Sequence, residues 1–182
     1  MKNKSLALLL ASAVLAGLFA FALPAFADNS CKATVSGVRQ GVHSATLADS
    51  SIDSVLWPPN HKLRTISISA SGSHGQCDVT ITDVRQTEAI DAPGSGNTSP
   101  DATNCNNSGN TSKIDLRAER SGINDSRYYR VDFTMTDSDG SSNDTAVVLV
   151  PHDQGVKRTY SSSDAATAQF PSYDGTALSC KN

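Results

Sequence analysis

The sequence predicts an all-β fold, an antiparallel β-sandwich with a long Gly/Asn/Ser-rich loop and a C-terminal tail. In several short runs, apolar residues recur at every second position, which is the period of a strand with one buried face. Clusters of Ser, Asn, Asp and Gly separate these runs and indicate turns. Helical periodicity is almost absent after residue 27. Short strands at this spacing are typical of a sandwich.

Six short runs are predicted to be strands. The first four are predicted to turn three apolar side chains each toward the core: Cys31, Ala33 and Val35; Ile66, Ile68 and Ala70; Cys77, Val79 and Ile81; and Ile114, Leu116 and Ala118. The fifth run, 129–135, is followed by a turn that contains Gly, and the sixth, 145–150, is almost continuously apolar. These last two runs are predicted to form a hairpin.

Residues 1–27 are predicted to be a secretory signal peptide. Two lysines precede a long apolar run, and Ala25-Phe26-Ala27 supplies the small-x-small pattern of a cleavage site. We expect cleavage before Asp28. The alternative is a retained membrane anchor, because the apolar run approaches the roughly 20 residues that span a bilayer. The Ala-x-Ala end favours processing.

The length and charge of the remaining chain limit its class. The 155 residues from Asp28 to the end suit one domain. We expect a sandwich over 28–155 and a C-terminal extension, 156–182, packed on it. Without the two lysines of the leader, 13 basic and 18 acidic residues remain. This acidic balance argues against a nucleic-acid partner, which requires a basic face, and no membrane contact is expected after cleavage.

The four cysteines all follow residue 27, and an even number in an exported chain predicts two disulfides. Four cysteines allow three pairings. We expect Cys31 to pair with Cys180, which would join the two ends, and Cys77 to pair with Cys105. The alternative is a tetrahedral zinc site, but the chain has no C-x-x-C pair.

Two acidic segments are candidate calcium sites, because calcium prefers oxygen ligands. Residues 91–113 are predicted to form one long loop, which offers Asp91, Asn97 and Asp101. The turn of the predicted hairpin offers four more: Asp137, Asp139, Asn143 and Asp144. The alternative is an ordinary exposed turn, since such turns use the same residue types.

The segment LWPPNHK, 56–62, is a candidate binding site through Trp57, Asn60 and His61. The structural alternative is a stiff corner. In that alternative Trp57 packs at the end of the core, the two prolines hold an extended approach, and Asn60 and His61 fix the turn before a strand.

His61 also belongs to a candidate transition-metal site. If the strand order brings the two ends together, His61, His152 and Asp153 supply two nitrogens and one carboxylate, a set suited to zinc. The alternative is that each histidine forms a hydrogen bond to a backbone carbonyl and fixes a corner.

Arg117 and Glu119 form a candidate binding pair. On a strand they would point to one side, while Leu116 and Ala118 point to the other. They would then face an acidic sugar or a partner protein. The alternative is an ion-pair lattice on the solvated face, which would stabilise little.

The order of several short motifs resembles a bacterial secreted domain, an immunoglobulin-like domain similar to hyalin repeats. The motifs are LWPPNHK (56–62), SPD (99–101), LRAERSG (116–122), RYYRVDFTMTDSDG (127–140) and VPHDQG (150–155). Each motif is short, but together and in this order they are specific. The resemblance implies a fold and an extracellular setting, and it implies no catalytic activity.

These observations predict a secreted, disulfide-stabilised interaction or structural module, such as a cell-adhesion domain. It would contact an extracellular protein or glycan, with calcium as the one candidate cofactor. We do not expect an enzyme, because motifs such as Gly-x-Ser-x-Gly and His-Glu-x-x-His are absent. One alternative is a polymer subunit that adds or exchanges strands between copies. The other is a metal-dependent hydrolase that uses His61, His152 and Asp153.

Overall fold

The computed structural model describes residues 30–37, 52–73, 75–90, 93–96, 98–123, 126–152 and 180. Within these residues the chain forms eight strands and no helix. The strands are β1 (Lys32–Ser36), β2 (Ser54–Val55), β3 (Leu63–Ser71), β4 (Asp78–Gln86), β5 (Ala102–Ser108), β6 (Thr111–Arg117), β7 (Ser126–Thr136) and β8 (Ser141–Pro151). No helix of the described part is long and apolar enough to cross a membrane.

The strands form two four-stranded sheets. One sheet has the order β1-β3-β6-β5 and the other has the order β2-β8-β7-β4. All pairs are antiparallel except β2 with β8, which is parallel. The predicted β-sandwich is confirmed. The strand order also agrees with immunoglobulin domains, in which the first, second, fifth and fourth main strands form one sheet and the third, sixth and seventh form the other.

The core lies between the sheets and uses the alternating positions that the sequence predicts. Its members from the first sheet include Ile66, Ile68, Ile114 and Leu116, and those from the second include Val79, Ile81, Val131, Phe133 and Val148. The predicted hairpin is also confirmed. Strands β7 and β8 pair over eleven residues, and the amide of Asp137 donates to the carbonyl of Gly140 across the turn.

The second half of β8, from Ala146 onward, is buried on both faces, which explains its continuous apolar sequence. Val148 faces the main core, whereas Val147 and Leu149 join a second apolar cluster with Ile52, Val55 and Tyr128. Strand β2 lies beside β8 in the same sheet and contributes Val55 to this cluster. Trp57 packs against the second cluster, so our expectation that it packs at the end of the main core was wrong.

The prediction of one long loop over 91–113 was also wrong. Residues from 102 onward form β5 and the start of β6. The inward positions of β5 are occupied by the small residues Ala102 and Cys105, and a register shift separates them. A strand with so few apolar residues and an interrupted period gives no alternation in the sequence.

The disulfides differ from the expected pairing. Cys31 is bonded to Cys77 and Cys105 to Cys180, with Cα–Cα distances of 5.9 and 4.5 Å. The first disulfide joins the two sheets, because Cys31 precedes β1 and Cys77 precedes β4. The packing of the two sheets brings Cys31 and Cys77 together, and the spacing of the cysteines along the chain does not predict this contact. Residues 1–29, 153–179, 181 and 182, with the leader and most of the extension, lie outside the described residues.

Replacing Cys31 and Cys77 together by Ser is expected to lower the free energy of unfolding by about 4 kcal/mol, because the bond constrains the unfolded chain across 46 residues. Urea unfolding of the oxidised proteins measures this loss. The matched double variant at Cys105 and Cys180 is expected to lose a similar amount. A non-reducing peptide map that links Cys31 to Cys180 would contradict the pairing.

Candidate functional site

A charged residue, Arg127, lies completely buried at one end of the sandwich. It occupies an inward position of β7, two residues before the core residue Tyr129. A buried guanidinium requires charged partners, because removing it from water costs several kcal/mol. Three carboxylates surround it: Glu88 at 3.0 Å, Asp101 at 2.9 Å and Glu119 at 3.9 Å. All three are buried.

This charge cluster, Arg127 with Glu88, Asp101 and Glu119, connects the two sheets. Arg127 and Glu88 belong to the second sheet, since Glu88 follows β4. Asp101 immediately precedes β5 and Glu119 follows β6, both of which belong to the first sheet. The amide of Gln86, at the end of β4, also donates to Asp101 Oδ2 at 2.7 Å.

The hydroxyl of Tyr129 forms a further connection between the sheets. It donates to the backbone carbonyl of Arg117 at 2.9 Å and accepts from Arg127 Nη1 at 3.2 Å. This bond to Arg117 joins the first part of β7 to the end of β6 in the opposite sheet. Burial, supported by the nearby carboxylates, raises the pKa of Tyr129 and keeps its hydroxyl protonated as a donor.

The electrostatics of the cluster leave negative charge in excess. Burial raises the pKa of Asp101 and of Glu119. Arg127 offsets part of this effect at Asp101, and the hydrogen bond with His61 offsets part of it at Glu119. Burial disfavours the charged form of Arg127, but Tyr129, Asp101 and Glu88 together raise its pKa and keep it a cation. Glu119 has the most distant contact with the guanidinium and is the carboxylate least compensated by it.

His61 is the exposed end of the cluster. Its Nδ1 lies 2.9 Å from Glu119 Oε2, and its side chain is 46 % exposed. Its backbone amide donates to the carbonyl of Ala118, and its φ is +62°, in the left-handed region. The ring lies against Gly96, where an added Cβ would come within 2.6 Å of the ring carbon Cε1. These contacts hold His61 in one orientation.

The corner interpretation of LWPPNHK agrees with these contacts. The amide of Asn60 donates to the carbonyl of Pro58, and Asn60 Oδ1 accepts from the amide of Lys62. The peptide bond between Trp57 and Pro58 is cis. Asn60 and His61 therefore define the turn that leads into β3.

The expectation that Arg117 and Glu119 share an exposed face was wrong. Strand β6 ends at Arg117, so the alternation stops there and Glu119 turns into the interior. Arg117 donates to the carbonyls of His61 and Pro100 and thereby joins two loops. The acidic neighbour of Arg117 is the buried Asp101, whose Oδ1 lies 3.9 Å from Arg117 Nε.

Of the three residues in the transition-metal hypothesis, the structure describes His61 and His152. His61 faces Glu119, and the backbone of His152 accepts from Arg120 and donates to the hydroxyl of Ser126. Asp153 lies outside the described residues. In the described part, the only close trio of His, Cys, Asp or Glu ligands is Cys31, Cys77 and Asp137, and both sulfurs belong to a disulfide.

The candidate calcium ligands of the hairpin turn do not converge. The carboxylates of Asp137, Asp139 and Asp144 form no group within 4.8 Å of one another. Both oxygens of Asp137 accept hydrogen bonds, from the amides of Asp139 and Gly140 and from Ser30. Desolvation opposes its charge, but these bonds lower its pKa overall. Asp137 stabilises the turn and anchors the residue before Cys31.

Asn143 and the candidate calcium ligands of segment 91–113 do not lie in the hairpin turn. Asn143 lies on β8 and accepts from the hydroxyl of Thr134. Asp101 is buried in the charge cluster instead of lying in an exposed loop. Asp91 and Asn97 fall outside the described residues.

A polar groove of about 620 Å³ lies on the outer face of the first sheet. Strands β3, β5 and β6 supply its lining: Thr65, Asn104, Asn106, Ser108, Thr111, Lys113 and Asp115. Asp115 lies between two donors, the hydroxyl of Thr65 at 2.6 Å and the amide of Asn104 at 2.8 Å. Asn106 and Lys113 are exposed.

The outer face of the second sheet carries a smaller groove of about 510 Å³. Its polar groups bind mainly to one another. Asp132 Oδ1 accepts from Arg130 at 2.8 Å and from Thr145 at 2.6 Å. The groove on the first sheet, named here the polar groove, is larger and is lined only by polar residues, whereas Phe133 belongs to the lining of the smaller groove.

Comparison of the chain with family models, with characterised proteins and with solved structures found no match. The function therefore has to be argued from the chemistry of the site.

Sequence reasoning missed Arg127, Glu88 and the polar groove for different reasons. Arg127 is in phase with Tyr129 and Val131, so the period of β7 already indicated an inward arginine. Glu88 lies an even number of residues after Val84, which faces inward. The β-bulge between Ile81 and Asp83 changes which alternate positions of β4 face inward, so the pattern before the bulge does not predict the direction of Glu88. The asparagines of the groove lay in the segment that was predicted to be a loop.

Substituting Arg127 by Met is expected to lower the free energy of unfolding by about 3–5 kcal/mol, because the buried carboxylates lose their cation. The matched control is Arg130→Met, which removes an exposed ion pair and is expected to cost less than about 1 kcal/mol. Denaturant unfolding of the two variants measures the difference. Equal losses would show that the buried cluster is not a major determinant of stability.

The charge of Glu119 is expected to make the fold less stable as the pH rises above about 4.5, its ordinary pKa. Because burial raises the folded-state pKa, the folded protein holds this proton more tightly than the unfolded chain does, and deprotonation favours unfolding. The substitution Glu119→Gln removes this contribution to the pH dependence of the free energy of unfolding. Urea unfolding from pH 4.5 to neutral pH should give a less negative slope for the variant, and equal slopes would refute the assignment.

Proposed function

We propose that this chain is an exported, disulfide-stabilised interaction module that binds an extracellular partner through the polar groove. The observation that carries this proposal is the groove itself, a concave surface on a rigid sheet. It presents exposed amide, ammonium and hydroxyl groups from three neighbouring strands.

Two features support an extracellular setting. The chain has two disulfides, Cys31–Cys77 and Cys105–Cys180, and disulfides persist in oxidising compartments. Residues 1–27 have the pattern of a secretory leader. The strand order and the motif order also support a relationship to bacterial secreted immunoglobulin-like domains similar to hyalin repeats.

The geometry of the groove supports binding more than it supports a purely structural role. The backbone of paired strands is held in place by the ladder, so a ligand does not have to order the backbone on binding. Asp115 is fixed further by Thr65 and Asn104. Asn106 and Lys113 extend into solvent beside it.

The alternatives receive less support from the described residues. Strand addition favours long regular edges. Of the four edge strands, β1 has five residues, β2 has two, and β5 carries a register shift. The fourth, β4, has nine residues, but it carries a bulge, and the amides of Val79 and Ile81 already donate to Gly109 and Asn107. A hydrolase needs a substrate-facing set of catalytic groups. Glu119 is buried, and the His61 Nδ1 is occupied by it.

The double variant Asn106→Ala with Lys113→Ala is expected to lose partner capture, because both side chains are exposed groove donors. Immobilised oxidised protein would be used to capture partners from native extracellular material, with mass spectrometry and glycan analysis of the bound fraction. The matched control is Asn143→Ala, on the opposite outer face.

Retention of the same partners by the wild type and by Asn143→Ala, and their loss from the double variant, is the expected result. Equal capture by all three proteins would place binding elsewhere on the surface. Unfolding midpoints of all three proteins should agree closely, since surface substitutions usually change stability by about 0.5 kcal/mol or less.

A further inference from the structure

We infer that the ligand of the polar groove is a neutral oligosaccharide. This inference rests on the proposed function and names the class of partner for the same site. It follows from three properties of the groove: the chemistry of its lining, its charge balance and the way in which its side chains are held.

The lining favours a polyhydroxylated ligand over a peptide or a drug-like molecule. All seven lining side chains end in hydroxyl, amide, ammonium or carboxylate groups. Protein interfaces usually have an apolar core enriched in aromatic residues, and pockets for apolar small molecules are lined mainly by such residues. A sugar presents many hydroxyls that both donate and accept, which matches a surface composed of donors and acceptors.

The charge balance favours a neutral sugar over an anionic one. Lys113 and Asp115 are the two ionisable groups of the lining, and their formal charges cancel. The chain as a whole carries a formal net charge of −3. A sulfated or uronate-containing polymer would meet no net positive charge here, and recognition of polyanions depends on basic clusters.

The groups of the groove are placed before a ligand arrives. The carboxylate of Asp115 is held by Thr65 and Asn104, and Thr111 is hydrogen-bonded to the hydroxyl of Ser69. Most of the lining side chains are short, so binding restricts few rotamers. Asn106 and Lys113 supply exposed donors at one side of the fixed carboxylate.

The absence of an aromatic side chain from the lining predicts weak binding by a single copy, because no ring is present to stack against a sugar. Many copies on one surface would strengthen the attachment through effective concentration. A multivalent assay is therefore the appropriate test.

The test uses oxidised full-length protein displayed on beads and an array of short oligomers of glucose, mannose, galactose and N-acetylglucosamine. Sulfated and uronate-containing glycans on the same array serve as anionic probes. Wild type and Asn143→Ala are expected to bind at least one neutral series. Asn106→Ala should weaken that binding about tenfold, since it removes a hydrogen-bonding group at the ligand.

The outcomes separate this inference from the proposed function. Binding only to anionic glycans, or binding that Asn143→Ala abolishes while Asn106→Ala does not, would overturn the neutral-sugar inference. If no glycan binds but capture of an extracellular protein depends on Asn106 and Lys113, the sugar inference fails and the proposed function stands. If neither glycan nor protein binding depends on these residues, both fail.

Discussion

The ion pairs of Arg127 with carboxylates from the opposite sheet are the constraint on which this sandwich depends. A buried cation and three buried carboxylates are each costly to remove from water, and only close mutual contact offsets that cost. The contacts exist in one arrangement of the two sheets, since Asp101 and Glu119 reach Arg127 from the ends of β5 and β6. We therefore expect the cluster, together with the Cys31–Cys77 disulfide, to favour this packing of the two sheets over others.

The same cluster lies at one end of the strands that carry the polar groove. Asp101 immediately precedes β5, and its carbonyl accepts from the amide of Arg117 at the end of β6. Strands β5 and β6 carry most of the groove side chains, so the cluster and the surface that is proposed to bind share two strands. The Cys105–Cys180 disulfide adds a covalent restraint at the middle of β5. A polar binding face on this sheet therefore needs no mobile loop.

The sequence was sufficient to predict the sandwich and the hairpin because the apolar period of two survives in most strands. It was insufficient where the period is interrupted or where the inward residues are small, as in β5 and at the bulge of β4. The disulfide pairing depends on how the sheets face each other, which no local pattern encodes. The inward position of Arg127 could have been predicted, because Arg127 lies two residues before Tyr129 and therefore on the same face of the strand. The polar groove could not be predicted from the sequence, because β5 was not identified as a strand.

We propose that the polar groove, on the outer face of the first sheet, is the binding surface. Amide chemical-shift mapping by NMR tests this location, by titrating the oxidised protein with a neutral oligosaccharide selected on the array. The perturbed amides are expected to lie in β3, β5 and β6 around Asn106 and Lys113, while the amides of Arg127 and Glu119 stay unperturbed. Perturbation centred on His61 and Asn60, or on β7 and β8, would contradict it.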